Sequence, residues 1–339
     1  MTAALYKIRE NGKYGFMDAE GQVVIEPQYI EAEDFYNGFS RVRFNNKLIP
    51  LDSLGRLLMK RLYNFVGYFE EGLARAQLVN LWGYIDQRGS AAIDVRFDAA
   101  GDFSEGLAAV QLNGRFGYID PQGAFVIEPS FDQAGEFKNG LAPVAKDGLW
   151  GYVDRRGELV IEPRFEWCGP LQASTGVFVD DGMWGLIAKN GDLLHEPEFE
   201  LLEGASAGEF FEELAMAVQE GRYGFVDLRG EMVVEPQFEA AGDFGDGRAP
   251  VSVDGQFGYI DRRGKICVAP QFVEAGVFSD GLAPVRIDEE WGFVNIAGEM
   301  AIDPRFDEVQ AFSNGLARVE QEGQWAYIDR RGTTIWQES

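Results

Sequence analysis

The sequence predicts an all-β protein: ten tandem units of about 34 residues, each of three short antiparallel strands, stacked as an open solenoid or superhelix. A closed, propeller-like ring of the same units is the alternative. Three observations carry this expectation. A glycine recurs in register at Gly15, Gly83, Gly117, Gly151, Gly185, Gly224, Gly258 and Gly292, spaced by 34 residues or a multiple of it, except for 39 residues between Gly185 and Gly224. Short segments rich in β-branched and aromatic residues alternate with glycine turns. No window of helical length shows a 3.6-residue apolar period.

Leu107 to Phe137 illustrates one unit. A weakly alternating strand, Leu107 to Val110, ends at the turn signal Asn113-Gly114. Phe116-Gly-Tyr-Ile-Asp120 is the second strand and Ala124-Phe-Val-Ile-Glu128 the third. Pro129 is expected to stop it, because proline cannot donate to a ladder. Ser130 to Gly140 reads as a loop. Ile49 and Ala326 fill the marker-glycine slot in the two units that lack it.

The turn between the second and third strands is the most constant element. All ten units place glycine there, from Gly21 and Gly55 to Gly298 and Gly332, and eight place Asp three residues earlier. Glycine takes a left-handed conformation without steric penalty, and Asp can accept the turn's own N–H groups. These aspartates are therefore read as turn residues. The marker glycine is expected to admit a neighbouring unit or an aromatic ring. A column of rings, from Tyr29 and Tyr63 to Phe272 and Phe306, is expected to form a core between repeats.

The runs Trp82-Gly-Tyr-Ile-Asp86, Trp150-Gly-Tyr-Val-Asp154 and Trp291-Gly-Phe-Val-Asn295 resemble the bacterial WG repeat family. Val126-Ile-Glu-Pro129 and Phe312-Ser-Asn-Gly-Leu-Ala317 continue the resemblance, which extends over essentially the whole chain. It implies an all-β repeat with a binding or scaffold role and no general catalytic residues. The pattern breaks at Ile49-Pro50 and again between Glu166 and Val218. One array over residues 1–339 is expected, with irregular units at 41–75 and 165–218.

The chain has 56 acidic and 30 basic residues, a net charge of −26. That charge repels nucleic-acid phosphates and anionic membranes and would steer a basic protein towards it. No run approaches the ~18 apolar residues of a membrane span. The start, Met1 to Ile8, lacks a signal-peptide pattern. Cys168 and Cys267 fall at different repeat positions and are read as isolated thiols, which suits a cytoplasmic location. No nucleophile motif, phosphate loop or zinc spacing is present, so neither enzyme activity nor a cofactor is expected. The single histidine, His195, takes a slot otherwise held by Ile or Val and is expected to be partly buried with a hydrogen-bond partner.

Two sets of residues are candidates for binding a partner. Glu128, Glu162, Glu196 and Glu235 recur after the third strand and would form an acidic edge. The irregular middle offers Trp167 and the segment Glu209, Phe210, Phe211, Glu212 and Glu213, an aromatic anchor with an acidic rim. The expected role is a scaffold that binds another protein with a basic surface. An acidic inhibitor of a basic toxin or nucleic-acid enzyme is one alternative. A carbohydrate binder using exposed aromatic columns is another.

Overall fold

The computed structural model describes residues 4–201 and 208–338, and every regular element among them is a β-strand. The chain divides into two compact units. One is Met1–Asp18, Gln22–Asp181 and Ile187–Leu193; the other is Ala19–Gly21, Gly182–Leu186 and Leu194–Ser339.

In the first unit the repeats build small antiparallel sheets, none of which closes on itself. One such sheet orders Ala99–Ala100, Ala108–Leu112, Arg115–Ile119 and Phe125–Phe131 side by side in chain order. The connection before the long strands was expected to be loop. It instead supplies a two-residue edge strand, with Ala99 facing Gln111 and Ala100 facing Val110, so these sheets are four-stranded. Two residues of ladder are too few to leave a periodic signal in the sequence. The second unit repeats the pattern, as in the sheet of Ala240–Ala241, Arg248–Val253, Gln256–Asp261 and Ile266–Phe272.

Proline does not end the third long strand. Phe125–Phe131 runs through Pro129, and Leu159–Phe165 runs through Pro163. The register explains this. Phe116 pairs Phe131 while Tyr118 pairs Ile127, so two residues on one strand oppose four on the other. Glu128 and Pro129 sit in that bulge, on the edge strand of the sheet, where a missing N–H breaks no ladder bond.

The bulge also explains the marker glycine. A Cβ on Gly292 would lie 2.6 Å from the Ile302 carbonyl oxygen and 2.8 Å from Pro304 N. On Gly83 it would lie 2.5 Å from the Ile93 carbonyl oxygen. The close approach therefore comes from the same repeat's own bulged backbone, not from a neighbouring unit or a ring. The exceptions obey the same rule. Ala326 pairs Gln337 in a ladder without this bulge. Ile49 lies in the two-stranded sheet Phe39–Phe44 with Lys47–Asp52, where the third strand is reduced to a single bridge, Leu51 to Leu57.

The Asp-x-x-Gly turns form as expected. Gly123 has φ +82°, its N–H donates to the Asp120 carbonyl at 2.9 Å, and Asp120 Oδ1 accepts the N–H groups of Gln122 and Ala124. The turn also meets the preceding repeat, since a Cβ on Gly123 would lie 3.0 Å from Ile93 Cγ2. Within the second unit Gly264 faces Val234 and Gly332 faces Ile302 in like manner, while Gly21, from the turn of the first repeat, faces Ile335 of the last.

The core lies between successive sheets. Tyr118, Ile127, Phe131 and Phe137 of one repeat pack with Ala142, Val144 and Val153 of the next. T-shaped pairs recur within it: Tyr84 with Phe103, Tyr118 with Phe137, Tyr259 with Phe278 and Phe293 with Phe312, all with centroids 4.7–4.9 Å apart. Each such pair adds about 0.5–1.5 kcal/mol beyond area burial. The buried hydroxyls are satisfied: Tyr84 donates to Gly101 O at 2.7 Å and Tyr259 to Gly276 O at 2.9 Å. The expected ring column is buried throughout, none of Tyr29, Tyr63, Phe97, Phe131, Phe165, Phe199, Phe238, Phe272 and Phe306 being more than 6% exposed.

Candidate protein-binding surfaces

The bulge places an acidic residue outward in repeat after repeat. Ile127 is buried, Glu128 next to it is exposed, and Glu162, Glu196 and Glu235 are exposed in the same way. Proline after the glutamate holds the bulge and leaves the edge without a continuous donor row. The acidic column is thus a consequence of edge geometry and also a ready cation-facing surface.

In the second unit Glu235 lines a cleft of about 750 Å³ together with Glu198, Glu200, Gln219, Glu220 and Arg222. Glu198 and Glu200 come from the strand Leu193–Glu200. Glu220 sits in the tight hairpin turn between Leu214–Gln219 and Arg222–Asp227, with φ +50°, followed by Gly221 at +68°. Glu200 Oε1 accepts the Gly221 N–H at 3.2 Å and fixes one wall. Four carboxylates face one guanidinium here. Only Glu235 was singled out from the sequence. The run Glu196-Pro-Glu-Phe-Glu200 carried the signal for two of the others, since alternate residues of a strand share a face.

The segment Glu209 to Glu213 is a hairpin in the same unit. Phe210 pairs Ala215 and Phe211 pairs Leu214, with Glu212 and Glu213 as the turn at φ +51° and +68°. Glu212 is occupied by its own fold: its carboxylate accepts the Gly247 N–H at 3.0 Å and its carbonyl accepts Arg262 Nη2 at 2.6 Å. Glu213 lies 3.6 Å from the same arginine. Phe210 is half-buried, Glu209 is exposed and Phe211 is 37% exposed. The inserted loop was expected within 201–213, and residues 202–207 of it lie outside the described residues. Trp167 belongs to the other compact unit. It pairs Val179, is 37% exposed and lies over the Gly169 backbone.

A polar cluster in the first unit was not anticipated. Arg41 Nε and Nη2 donate to the two oxygens of Glu33 at 2.5 and 2.8 Å, and the Tyr68 hydroxyl donates to Glu33 Oε2 at 2.5 Å. The Arg41 guanidinium lies over the Tyr68 ring at 4.4 Å. Burial works against the charged form of Glu33, yet the bonds from Arg41 and Tyr68 outweigh it and hold its carboxyl below the usual range. Burial, with the Glu33 contact, pushes the Tyr68 hydroxyl up to about 12. Beside this cluster is a cleft of about 450 Å³ lined by Lys7, Glu33, Asp34, Phe35, Tyr36 and Tyr68. The sequence signal was a basic residue in the slot that Pro143, Pro250 and Pro284 hold elsewhere.

His195 is half-buried, with Nδ1 2.8 Å from the Glu196 carbonyl oxygen and its ring 4.3 Å from that of Phe199. Leu194, not His195, faces the turn glycine Gly230. Burial pushes the Cys168 thiol up to about 12 and raises Cys267 as well, which makes both poor nucleophiles at neutral pH. Among the described residues no group of three or more His, Cys, Asp and Glu side chains is placed to hold a metal, and no helix is long and apolar enough to cross a membrane.

Small open sheets, one per repeat, with aromatic cores between them and charge on their edges, define an all-β tandem-repeat protein. The chain belongs to the WG-containing repeat family, whose model matches residues 14–47, 82–116, 116–150, 150–174, 223–256, 257–291 and 291–325. None of the curated proteins matches it. Among solved structures it is similar to a crystal structure of the eukaryotic initiation factor, at 9% identity and TM-score 0.53, over 88% of this chain and 95% of that one. That likeness is one of fold alone. Kluyveromyces lactis Hsv2p matches at 9% identity and TM-score 0.37, over 73% of this chain and 88% of that one. Dihydro-heme d1 dehydrogenase NirN in complex with DHE matches at 12% identity and TM-score 0.38, over 86% and 70%.

Proposed function

We propose that the protein is a non-enzymatic β-repeat scaffold that binds another protein through a basic surface, in the cytoplasm. The observation that carries this reading is the cleft of the second unit, where Glu198, Glu200, Glu220 and Glu235 face Arg222 alone. A net charge of −26 adds a long-range field that favours encounter with a basic partner. An acidic inhibitor of a basic toxin or nucleic-acid enzyme would use the same cleft and is the second reading. The carbohydrate reading is weakened by the burial of the column from Tyr29 to Phe306, while the rings before the marker glycine, such as Trp82, Trp150 and Trp291, are half-buried.

The test is a titration of the full chain with an arginine- and lysine-rich peptide across a range of salt. Affinity is expected to fall roughly tenfold from ~50 to ~300 mM salt and to weaken further in the Glu198→Gln, Glu220→Gln double variant. Binding that ignores both salt and the double variant would reject the cleft as the docking surface.

A further inference from the structure

The cleft of the first unit sits beside a worked example of how this protein holds a guanidinium. Arg41 is gripped by a carboxylate from below, Glu33 at 2.5 and 2.8 Å, and by a tyrosine face, Tyr68 at 4.4 Å. Its side chain is only 14% exposed, and a third bond runs from Nη1 to the Val66 carbonyl at 3.2 Å. One residue after Glu33 comes Asp34, and one residue after the core ring Phe35 comes Tyr36. These two present the same pair of groups outward. The Asp34 side chain is 76% exposed and the Tyr36 residue 52% exposed, with its ring 5.4 Å from that of Tyr68 in a T-shaped contact.

The geometry points to a second guanidinium site here, formed by Asp34 and Tyr36 over the 450 Å³ cleft, that takes an arginine side chain of the partner protein. It rests on the reading of a basic partner. It adds where one of that partner's side chains is anchored. The planar guanidinium is favoured over an ammonium because it can pair a carboxylate through two N–H groups while lying on a ring. Lys7 Nζ meets both Asp34 oxygens from within the cleft, each at 3.4 Å, with its stem largely covered. That contact is long, and the carboxylate it meets is exposed, so it does not close the outer side of Asp34 to a second cation. The fixed Glu33–Arg41–Tyr68 cluster holds the inner wall, including the ring against which Tyr36 rests, so little ordering is left for binding. An anion would find only Lys7, whose ammonium is already paired with Asp34. A neutral sugar, which would also stack on Tyr36, has no use for the carboxylate's charge.

The experiment is a nuclear magnetic resonance titration of the full chain with N-acetylarginine methylamide, its lysine counterpart and maltotriose. The arginine probe is expected to shift the Asp34 and Tyr36 amides saturably and more strongly than the lysine probe. Asp34→Asn and Tyr36→Ala should each weaken it about fivefold, and Tyr36→Phe should restore it. Glu220→Gln in the other unit should leave it unchanged. Both substituted side chains are exposed, so the variants are expected to fold. Saturation by maltotriose, an equal response in Asp34→Asn, or no response at these amides would each overturn the proposal. If the basic peptide still binds through Glu198 and Glu220 in that event, the scaffold reading stands and only this anchor falls.

Discussion

Glu105 and Gly140 are joined across repeats: the glutamate Oε2 accepts the glycine N–H at 2.9 Å, and Gly140 stands in its turn where Gly106 stands beside Glu105. Glu71 makes the same bond to Gly106 at 2.8 Å. In the second unit Asp246 bonds Gly281 and Asp280 bonds Gly315, both at 2.7 Å. Each carboxylate belongs to a left-handed turn residue, Glu105 at φ +52° and Asp280 at +54°. The turn aims its side chain at the next copy of itself. Stacking is therefore specified by a polar ladder as well as by the buried rings.

Glu105→Ala should weaken the first unit by about 1 kcal/mol, the usual net value for one hydrogen bond. Glu105→Gln retains an acceptor oxygen and should lose less. Hydrogen exchange at the Gly140 amide reads the effect locally, which suits a repeat protein whose units need not unfold together. Equal protection of that amide in the parent and the alanine variant would mean that the bond does not contribute.

The marker glycine gives the sharpest stability contrast. Gly292→Ala puts a methyl group 2.6 Å from the Ile302 carbonyl oxygen, and backbone cannot move aside as a flexible side chain can. A loss of about 1–3 kcal/mol is expected, the range for overpacking. Ala326 already carries that methyl group in a repeat whose third strand lacks the bulge. Ala326→Gly should therefore stay within about 1 kcal/mol of the parent. Urea denaturation of the two variants side by side checks both halves.

The period, the strand runs and the Asp-x-x-Gly turns were legible because each repeats a local chemical requirement ten times. Positive φ at Gly123 and the Asp120 turn bonds are such requirements. The bulge was harder to read. Glu128-Pro129 looks like a strand end when proline is judged by its missing donor alone, and its partner Gly117 lies eleven residues upstream. Only the pairing of the two strands brings them into contact. The binding surfaces were the least legible. Glu235 could be found as part of a column, but Glu198, Glu200 and Glu220 converge through the folding of two successive repeats. Glu212 misled for the opposite reason: an acid beside two phenylalanines resembles an interface, whereas its register position commits it to Gly247.

The turn glycines should tolerate no branched side chain. Gly123→Val meets two obstacles, a φ of +82° and Ile93 Cγ2 at 3.0 Å from the new Cβ. It is expected to destabilise by more than about 1 kcal/mol. Gly114→Val, where φ is +78° but nothing lies within 4 Å of an added Cβ, isolates the conformational part. A smaller loss in Gly114→Val than in Gly123→Val, by thermal melting, would assign the difference to inter-repeat packing. Equal losses would assign the whole effect to φ.

Acid should separate two half-buried carboxylates that pull in opposite directions. Burial disfavours charge on Glu33, but Arg41 and Tyr68 more than compensate, so its folded pKa lies below the ordinary 4.5. Its contribution is complete above that ordinary value and is lost as pH falls through the lower folded one. Asp102 is the reverse. Burial first, then Glu136 nearby, raises it above its ordinary 3.8 despite Arg75 at 3.1 Å. Its contribution is present below the ordinary value and is lost as pH rises through the higher folded one. Glu33→Gln should therefore flatten the decline of stability on acidification from pH ~7 to ~3, and Asp102→Asn should steepen it. Urea midpoints measured across that range give both slopes. A shared direction of change in the two variants would contradict the assigned shifts, because it would require both carboxylates to release their protons more readily, or both less readily, in the folded chain.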